Sequence, residues 1–107
     1  MKTQLKQNAL TVFLTGEIDH HAVSSIRQKI DAMLEERKIS SLILDFGDVS
    51  FMDSSGIGMI IGRYKIMKAR GGKMLSTGLS PAIKRIYTLG GLHRIIPIAD
   101  NGGKDGR

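Results

Sequence analysis

Hydrophobic residues recur along the chain with two different spacings, which separate predicted strands from predicted helices. Short apolar or alternating runs, bounded by polar residues, predict β-strands. These runs are residues 3–6, 10–15, 41–46, 73–77 and 95–98. Pro97 indicates that the last of these strands lies at an edge of the sheet, because proline has no backbone N–H to donate.

Between the predicted strands, apolar residues three, four and seven positions apart predict amphipathic helices. The first helix follows Asp19, which is expected to be its N-cap. The second runs from about Ser55 to Ala69, after a connection at residues 48–53, and either Ser54 or Ser55 can cap it. The third follows Ser80 and carries a proline in its first turn.

Strands that alternate with helices predict an α/β fold with crossover connections. We expect a small single domain over residues 1–100, with a mixed sheet of four to five strands and helices packed on it. The Gly-rich residues 101–107 are expected to be a disordered tail. A chain of 107 residues is long enough to bury a core without disulfides or metal.

Charge and composition narrow the possible functions. The chain contains no Cys, which excludes a disulfide scaffold and a cysteine-ligated zinc site. The net charge is +6, and residues 54–99 contain eight Lys or Arg and no acidic residue. This asymmetry suggests either nucleic acid or an acidic partner. With no apolar leader and no apolar run long enough to span a membrane, we expect a cytoplasmic protein.

Residues 51–58, Phe-Met-Asp-Ser-Ser-Gly-Ile-Gly, lead into the second predicted helix. The first N–H groups of a helix have no partner within the helix and favour an anion. A hydroxyl at this position is therefore well placed to carry a phosphate. The alternative interpretation is an ordinary helix cap, with a glycine where the chain enters the helix tightly.

The side of this helix opposite its predicted core face is also apolar. Gly58, Met59 and Gly62 cluster there with Ile66 and Ala69. Lys65 on one flank, and Arg63 and Arg70 on the other, border the cluster. Such a smooth face with a basic rim suits docking by another protein. The alternative is that a second layer of the same domain covers it.

Other chemistry has weaker support. The glycines at positions 56, 58 and 62 resemble a nucleotide-binding turn, but residues 54–99 offer no acid to hold a ribose. Two of the three His are adjacent and diverge on a helix, so no metal site is expected. No nucleophile pattern indicates an enzyme, and no cofactor is expected. Only five aromatic residues are present, with no stacking motif for nucleic acid.

Three segments carry a resemblance to a known family. They are residues 15–21 (Thr-Gly-Glu-Ile-Asp-His-His), residues 51–58 and residues 62–65 (Gly-Arg-Tyr-Lys). At this spacing the chain, over about residues 5–98, resembles the anti-sigma-factor antagonists, most closely those of the sporulation sigma-F type. The resemblance implies the small α/β fold shared by sulfate transporters and anti-sigma antagonists, the STAS domain. Family members usually continue into a C-terminal helix, and residues 99–107 show no apolar periodicity.

The resemblance also implies a partner-switching role. The unmodified protein would bind an anti-sigma factor that is also a serine kinase, and so free the sigma factor. The kinase would then phosphorylate Ser54, and a metal-dependent serine phosphatase would reset the protein. No membrane or direct nucleic-acid partner is expected. A stress-type sigma system, or a small nucleotide-binding protein, remains the alternative. The expected partner-binding residues are Asp19, Asp53, Ser55, Gly56, Ile57, Gly58, Met59, Gly62 and Arg63.

Overall fold

The computed structural model describes residues 1–99, which form a four-stranded sheet with helices on it. The strand order is β1-β2-β3-β4, with β1 antiparallel to β2 and the other pairs parallel. This confirms the predicted α/β fold with its mixed sheet. The elements are β1 (Lys2–Lys6), β2 (Ala9–Ile18), α1 (Val23–Glu36), β3 (Ser41–Met52), α2 (Ser54–Ala69), β4 (Lys73–Thr77), α3 (Pro81–Leu89) and a 3₁₀-helix (Leu92–Arg94).

One face of the sheet supplies most of the core. Alternate residues of β2 and β3, from Leu10 to Leu14 and from Leu42 to Phe46, are buried. Helix α1 connects the parallel neighbours β2 and β3, and α2 connects β3 and β4. Because such crossovers are right-handed, both helices lie on the same face of the sheet. Helix α3 packs there too, because Tyr87 meets Phe46 edge to face at 6.0 Å. The Tyr87 hydroxyl donates to the Ile96 carbonyl oxygen at 2.9 Å.

Two predicted boundaries are wrong. Residues 48–53 are not a connection, because β3 continues to Met52 and pairs with β2 through irregular register. Asp19 does not cap α1, which begins at Val23 without a side-chain cap. Instead, Asp19 Oδ1 accepts the N–H groups of His21 and Ala22, each at 3.0 Å, and so stabilises the turn before the helix.

The predicted strand at residues 95–98 is reduced to a single bridge between Ser76 and Ile98. Pro97 has no N–H, and the Ile96 N–H donates to the Leu92 carbonyl at 2.8 Å. The segment therefore meets β4 only at residues 97–99, where the Pro97 carbonyl accepts the Ser76 N–H and the Ala99 N–H donates to the Ser76 carbonyl. The predicted tail at residues 101–107 lies outside the described residues, and the domain limits remain a prediction. None of the helices within residues 1–99 is long and apolar enough to cross a membrane.

Candidate functional site

Two acidic residues meet at the carboxyl edge of the parallel part of the sheet. Ile18 ends β2 and Met52 ends β3, and the two are paired in register. The Asp53 N–H donates to the Ile18 carbonyl at 3.3 Å, so Asp19 and Asp53 follow adjacent strand ends. The structure thus brings these two predicted site residues together. Open α/β sheets place their ligands at this edge.

Asp53, and not a serine, caps α2. Its Oδ1 accepts the N–H groups of Ser55 at 2.9 Å and Gly56 at 3.3 Å. Its carbonyl accepts the Ile57 N–H at 3.2 Å, which starts the helical ladder. Ser54 is therefore the first residue of the helix and is exposed. The Asp53 carboxylate therefore already accepts the N–H groups of Ser55 and Gly56, which would otherwise be free to hold an anion.

Gly56 allows α2 to begin directly against the strand ends. A Cβ at Gly56 would lie 2.6 Å from Met52 Cγ and 3.0 Å from both Ile18 Cγ2 and the Ile18 carbonyl oxygen. No larger residue fits without moving backbone. Gly56 is itself buried, so it fixes the position of Ser54 and offers no surface to a partner.

The outer face of α2 consists of Gly58, Gly62, Lys65 and Ala69. A Cβ at Gly58 or Gly62 would have no atom within 4 Å, so the space above both is open. Ser55 and Ile57 are half-buried beside this face. Ile57 packs against the end of α3, because a Cβ at Gly90 would lie 3.0 Å from its Cδ1. The predicted smooth face therefore exists, but it is narrower than expected.

Met59 and Arg63 do not lie on the outer face, which corrects the helical-wheel prediction. Each has only 6% of its surface exposed. Arg63 Nε lies 2.9 Å from Asp31 Oδ1 of α1, a charge pair without the alignment of a hydrogen bond. Arg63 Nη1 donates to the Met59 carbonyl at 3.3 Å. Helix α1 therefore covers this flank, as one of the two sequence interpretations allowed.

Burial lowers the pKa of the Arg63 guanidinium below its usual value; the Asp31 carboxylate acts in the opposite direction, and the positive charge of Arg27 lowers the pKa further. The guanidinium nevertheless stays charged, because arginine is not deprotonated in proteins. Asp31 is the partner that sequence reasoning missed. Its position beside Ile30, at the edge of the apolar stripe of α1, was the only available signal. Within residues 1–99, no three His, Asp or Glu side chains are grouped to hold a metal.

A family model described as the STAS domain matches residues 1–104. The chain belongs to the STAS domain family. Among curated relatives of this STAS domain is an anti-sigma F factor antagonist from Paenibacillus polymyxa. It is 38% identical over 95 residues, which cover 89% of this chain and 81% of the relative. An anti-sigma-B factor antagonist from Bacillus subtilis is 33% identical over 93 residues, which cover 87% of this chain and 84% of the relative.

Two solved structures of the antagonist SpoIIAA share this fold. The unphosphorylated form superposes with a TM-score of 0.82 and the phosphorylated Bacillus form with 0.74. Both are 30% identical to the STAS domain described here and cover 96% of it. The match covers 90% of the first SpoIIAA chain and 94% of the second. The fold that holds Ser54 is therefore the fold of an antagonist solved in both phosphorylation states.

Proposed function

We propose that this STAS domain is an anti-sigma factor antagonist that switches partners by phosphorylation of Ser54. Unphosphorylated, it binds an anti-sigma factor with serine kinase activity, and the sigma factor is released. Relatives that carry the antagonist name at 38% and 33% identity support the general role. The observation that carries the switch is the exposed Ser54 at the start of α2, beside Asp53 and Asp19.

Phosphorylation would change the surface and leave the fold intact. A phosphate adds about −1.5 to −2 charges and three acceptor oxygens. It would not replace Asp53, whose carboxylate already accepts the N–H groups of Ser55 and Gly56. The group would therefore project outward, next to two carboxylates of the same sign. A partner surface shaped around a neutral hydroxyl would have to desolvate this charge unpaired, which costs several kcal/mol.

The docking surface that we propose combines Asp19, Ile57 and the outer face of α2. Gly58 and Gly62 let a partner approach the helix backbone closely, since nothing lies above them. Lys65 on this face and Arg70 at the end of the helix are both exposed. An acidic surface on the anti-sigma factor would complement them, which mainly accelerates association. Ser55 is half-buried beside the same surface.

An exposed first-turn residue is also accessible to the enzyme that removes the phosphate. A metal-dependent serine phosphatase would reset the protein without unfolding α2. We infer a sigma-F system, because the relative named for sigma F is more similar than the one named for sigma B. A stress-type sigma system is the alternative within the same fold.

The modification is tested by incubating the protein with ATP and a purified anti-sigma factor kinase. We expect a mass increase of one phosphate group, absent in Ser54→Ala. Ser55→Ala is the matched control, because Ser55 is the adjacent serine and its backbone N–H still reaches Asp53. Phosphorylation that survives Ser54→Ala would contradict the assignment. Nucleotide turnover by the isolated protein would favour a nucleotide-binding enzyme instead.

Partner switching is tested by adding the protein to a preformed complex of the sigma factor and its anti-sigma factor. The unmodified protein should release the sigma factor, and the phosphorylated protein should not. Anti-sigma factors of the F and B types, compared side by side, identify the cognate system. Equal affinity of both phosphorylation states for the kinase partner would exclude the switch.

A further inference from the structure

A groove lies at the other end of α2, away from Ser54. It has a volume of about 480 Å³, within the range of ligand sites. Its walls are mostly apolar side chains from α2, β4 and the segment that follows the 3₁₀-helix. Those side chains are Tyr64, Met67, Met74, Leu75, Ile95 and Pro97.

The groove follows the outer edge of β4, an edge strand of the sheet, and Met74, which lines it, is 5% exposed. The Ser76 N–H donates to the Pro97 carbonyl at 3.0 Å, and the Ser76 carbonyl accepts the Ala99 N–H at 2.7 Å, both on the side away from β3. Backbone groups of a strand alternate in direction, so Met74 presents its N–H and carbonyl on that same side. No described residue pairs with Met74 on that side, because the parallel register that joins Ser76 to Pro97 and Ala99 would offer the Met74 carbonyl the N–H of residue 97, and proline has none.

Two cations border this groove and no acid opposes them. Lys68 and Lys73 both line it, and Lys68 Nζ lies 5.8 Å from the centre of the Tyr64 ring. Residues 54–99 contain no Asp or Glu. A ligand with negative charge at its ends and an apolar centre therefore complements the site.

We propose that this groove binds an extended, acidic peptide segment of a partner protein. The segment adds to β4 as a further strand, with its main chain on the N–H and carbonyl of Met74. One apolar side chain enters the groove, and flanking carboxylates lie beside Lys68 and Lys73. Strand addition at a free edge takes its affinity from main-chain hydrogen bonds and its specificity from such a pocket.

This site is independent of the phosphoacceptor. Lys68 lies fourteen residues after Ser54 on the same helix, a separation of about 20 Å at the rise of an α-helix. A second protein could thus be held while the anti-sigma factor docks at Ser54. Failure of one site to bind would leave the other unaffected.

The probe is a labelled peptide, blocked at both ends, with the sequence Glu-Glu-Val-Ile-Val-Glu-Glu. We expect saturable binding with a Kd of about 100 µM or tighter by fluorescence anisotropy. Hydrogen exchange of the Met74 amide should slow about tenfold at saturation. Lys68→Glu with Lys73→Glu should weaken binding at least tenfold. Lys65→Glu is the matched control, because Lys65 is on the same helix outside the groove.

A peptide N-methylated at its central residues keeps the side chains and loses the main-chain donors, so it should not bind. Equal binding of this peptide, or equal effects of the Lys65 and Lys68/Lys73 variants, would overturn the proposal. So would the absence of saturable binding at millimolar peptide. Dodecanoate that fills the groove without slowing exchange at Met74 would assign the site to a small amphiphilic anion instead.

Discussion

The first turn of α2 and its middle turns use charged side chains in opposite ways. In the first turn, the Asp53 carboxylate bends back onto the N–H groups of Ser55 and Gly56 and leaves Ser54 exposed. Two turns later, Arg63 points inward to Asp31 of α1. The first turn is built to present a group to solvent, whereas the middle of the helix is built to hold the domain together. Charge alone therefore does not mark the docking surface.

The largest expected effect is the loss of folding stability when the ion pair between Arg63 and Asp31 is broken. Asp31→Ala leaves the Arg63 guanidinium buried without its partner, which should lower the free energy of unfolding by about 3 kcal/mol. We take the low end of the usual range because the Asp31 side chain is 30% exposed. Urea unfolding measures this loss, with Glu36→Ala as the control, because Glu36 is an exposed acid at the end of α1. An equal loss of unfolding free energy in both variants would show that the pairing of Asp31 with Arg63 does not stabilise the domain.

At the first turn the expected effect is on binding and not on stability. Ser54→Glu places a negative charge where the proposed partner meets a hydroxyl, and should weaken binding to the anti-sigma factor about a hundredfold. The free energy of unfolding should change by less than about 0.5 kcal/mol, because the side chain is exposed. Calorimetric titration measures the affinity for the anti-sigma factor, and urea unfolding measures the free energy of unfolding. A large loss of stability would mean that Ser54 has a structural role.

Two glycines of the same helix sharpen the comparison further. Gly56→Ala forces a Cβ to within 2.6 Å of Met52 Cγ and should cost about 2 kcal/mol of stability. Gly58→Ala meets nothing within 4 Å and should raise stability by up to about 1 kcal/mol, since alanine favours a helix. The same Gly58 variant should weaken partner binding if this face is the docking surface. Similar stability in both variants would show that Gly56 is not closely packed.

The smallest expected effect is on association rate. Lys65→Glu with Arg70→Glu should slow binding to the anti-sigma factor several-fold at low salt, and high salt should reduce the difference. Arg63 is unsuitable for this test, because its buried charge would confound binding with unfolding. Stopped-flow kinetics measure the rates, and Lys2→Glu on β1 is the control. Identical association rates for the double variant and the unmodified protein would show that Lys65 and Arg70 do not attract the partner.

Sequence reasoning predicted the order of strands and helices, because apolar periodicity reports directly which side of an element is buried. The resemblance also placed Asp19 and Asp53 among the expected partner-binding residues. Sequence reasoning predicted Ser80 before α3 correctly, but it misplaced the cap of α2, since Asp53, Ser54 and Ser55 are all acceptable N-caps by type. The backbone at Asp53, extended at φ −111°, decides among them. Sequence reasoning could not show that Met59 is buried or that Asp31 of α1 pairs with Arg63, because helix–helix contacts depend on the relative positions of the helices on the sheet.

By itself the sequence determined the α/β fold, the basic stretch that begins after Asp53, and an Asp-Ser-Ser-Gly motif at the start of a helix. Only the tertiary structure decided which side chains of that stretch reach solvent. An arginine at the edge of an apolar stripe can face water or a neighbouring helix, and α1 supplies the partly buried Asp31 carboxylate that pairs with Arg63. Likewise, Pro97 predicts an edge strand, but only the register of β4 shows that the edge at Met74 is open.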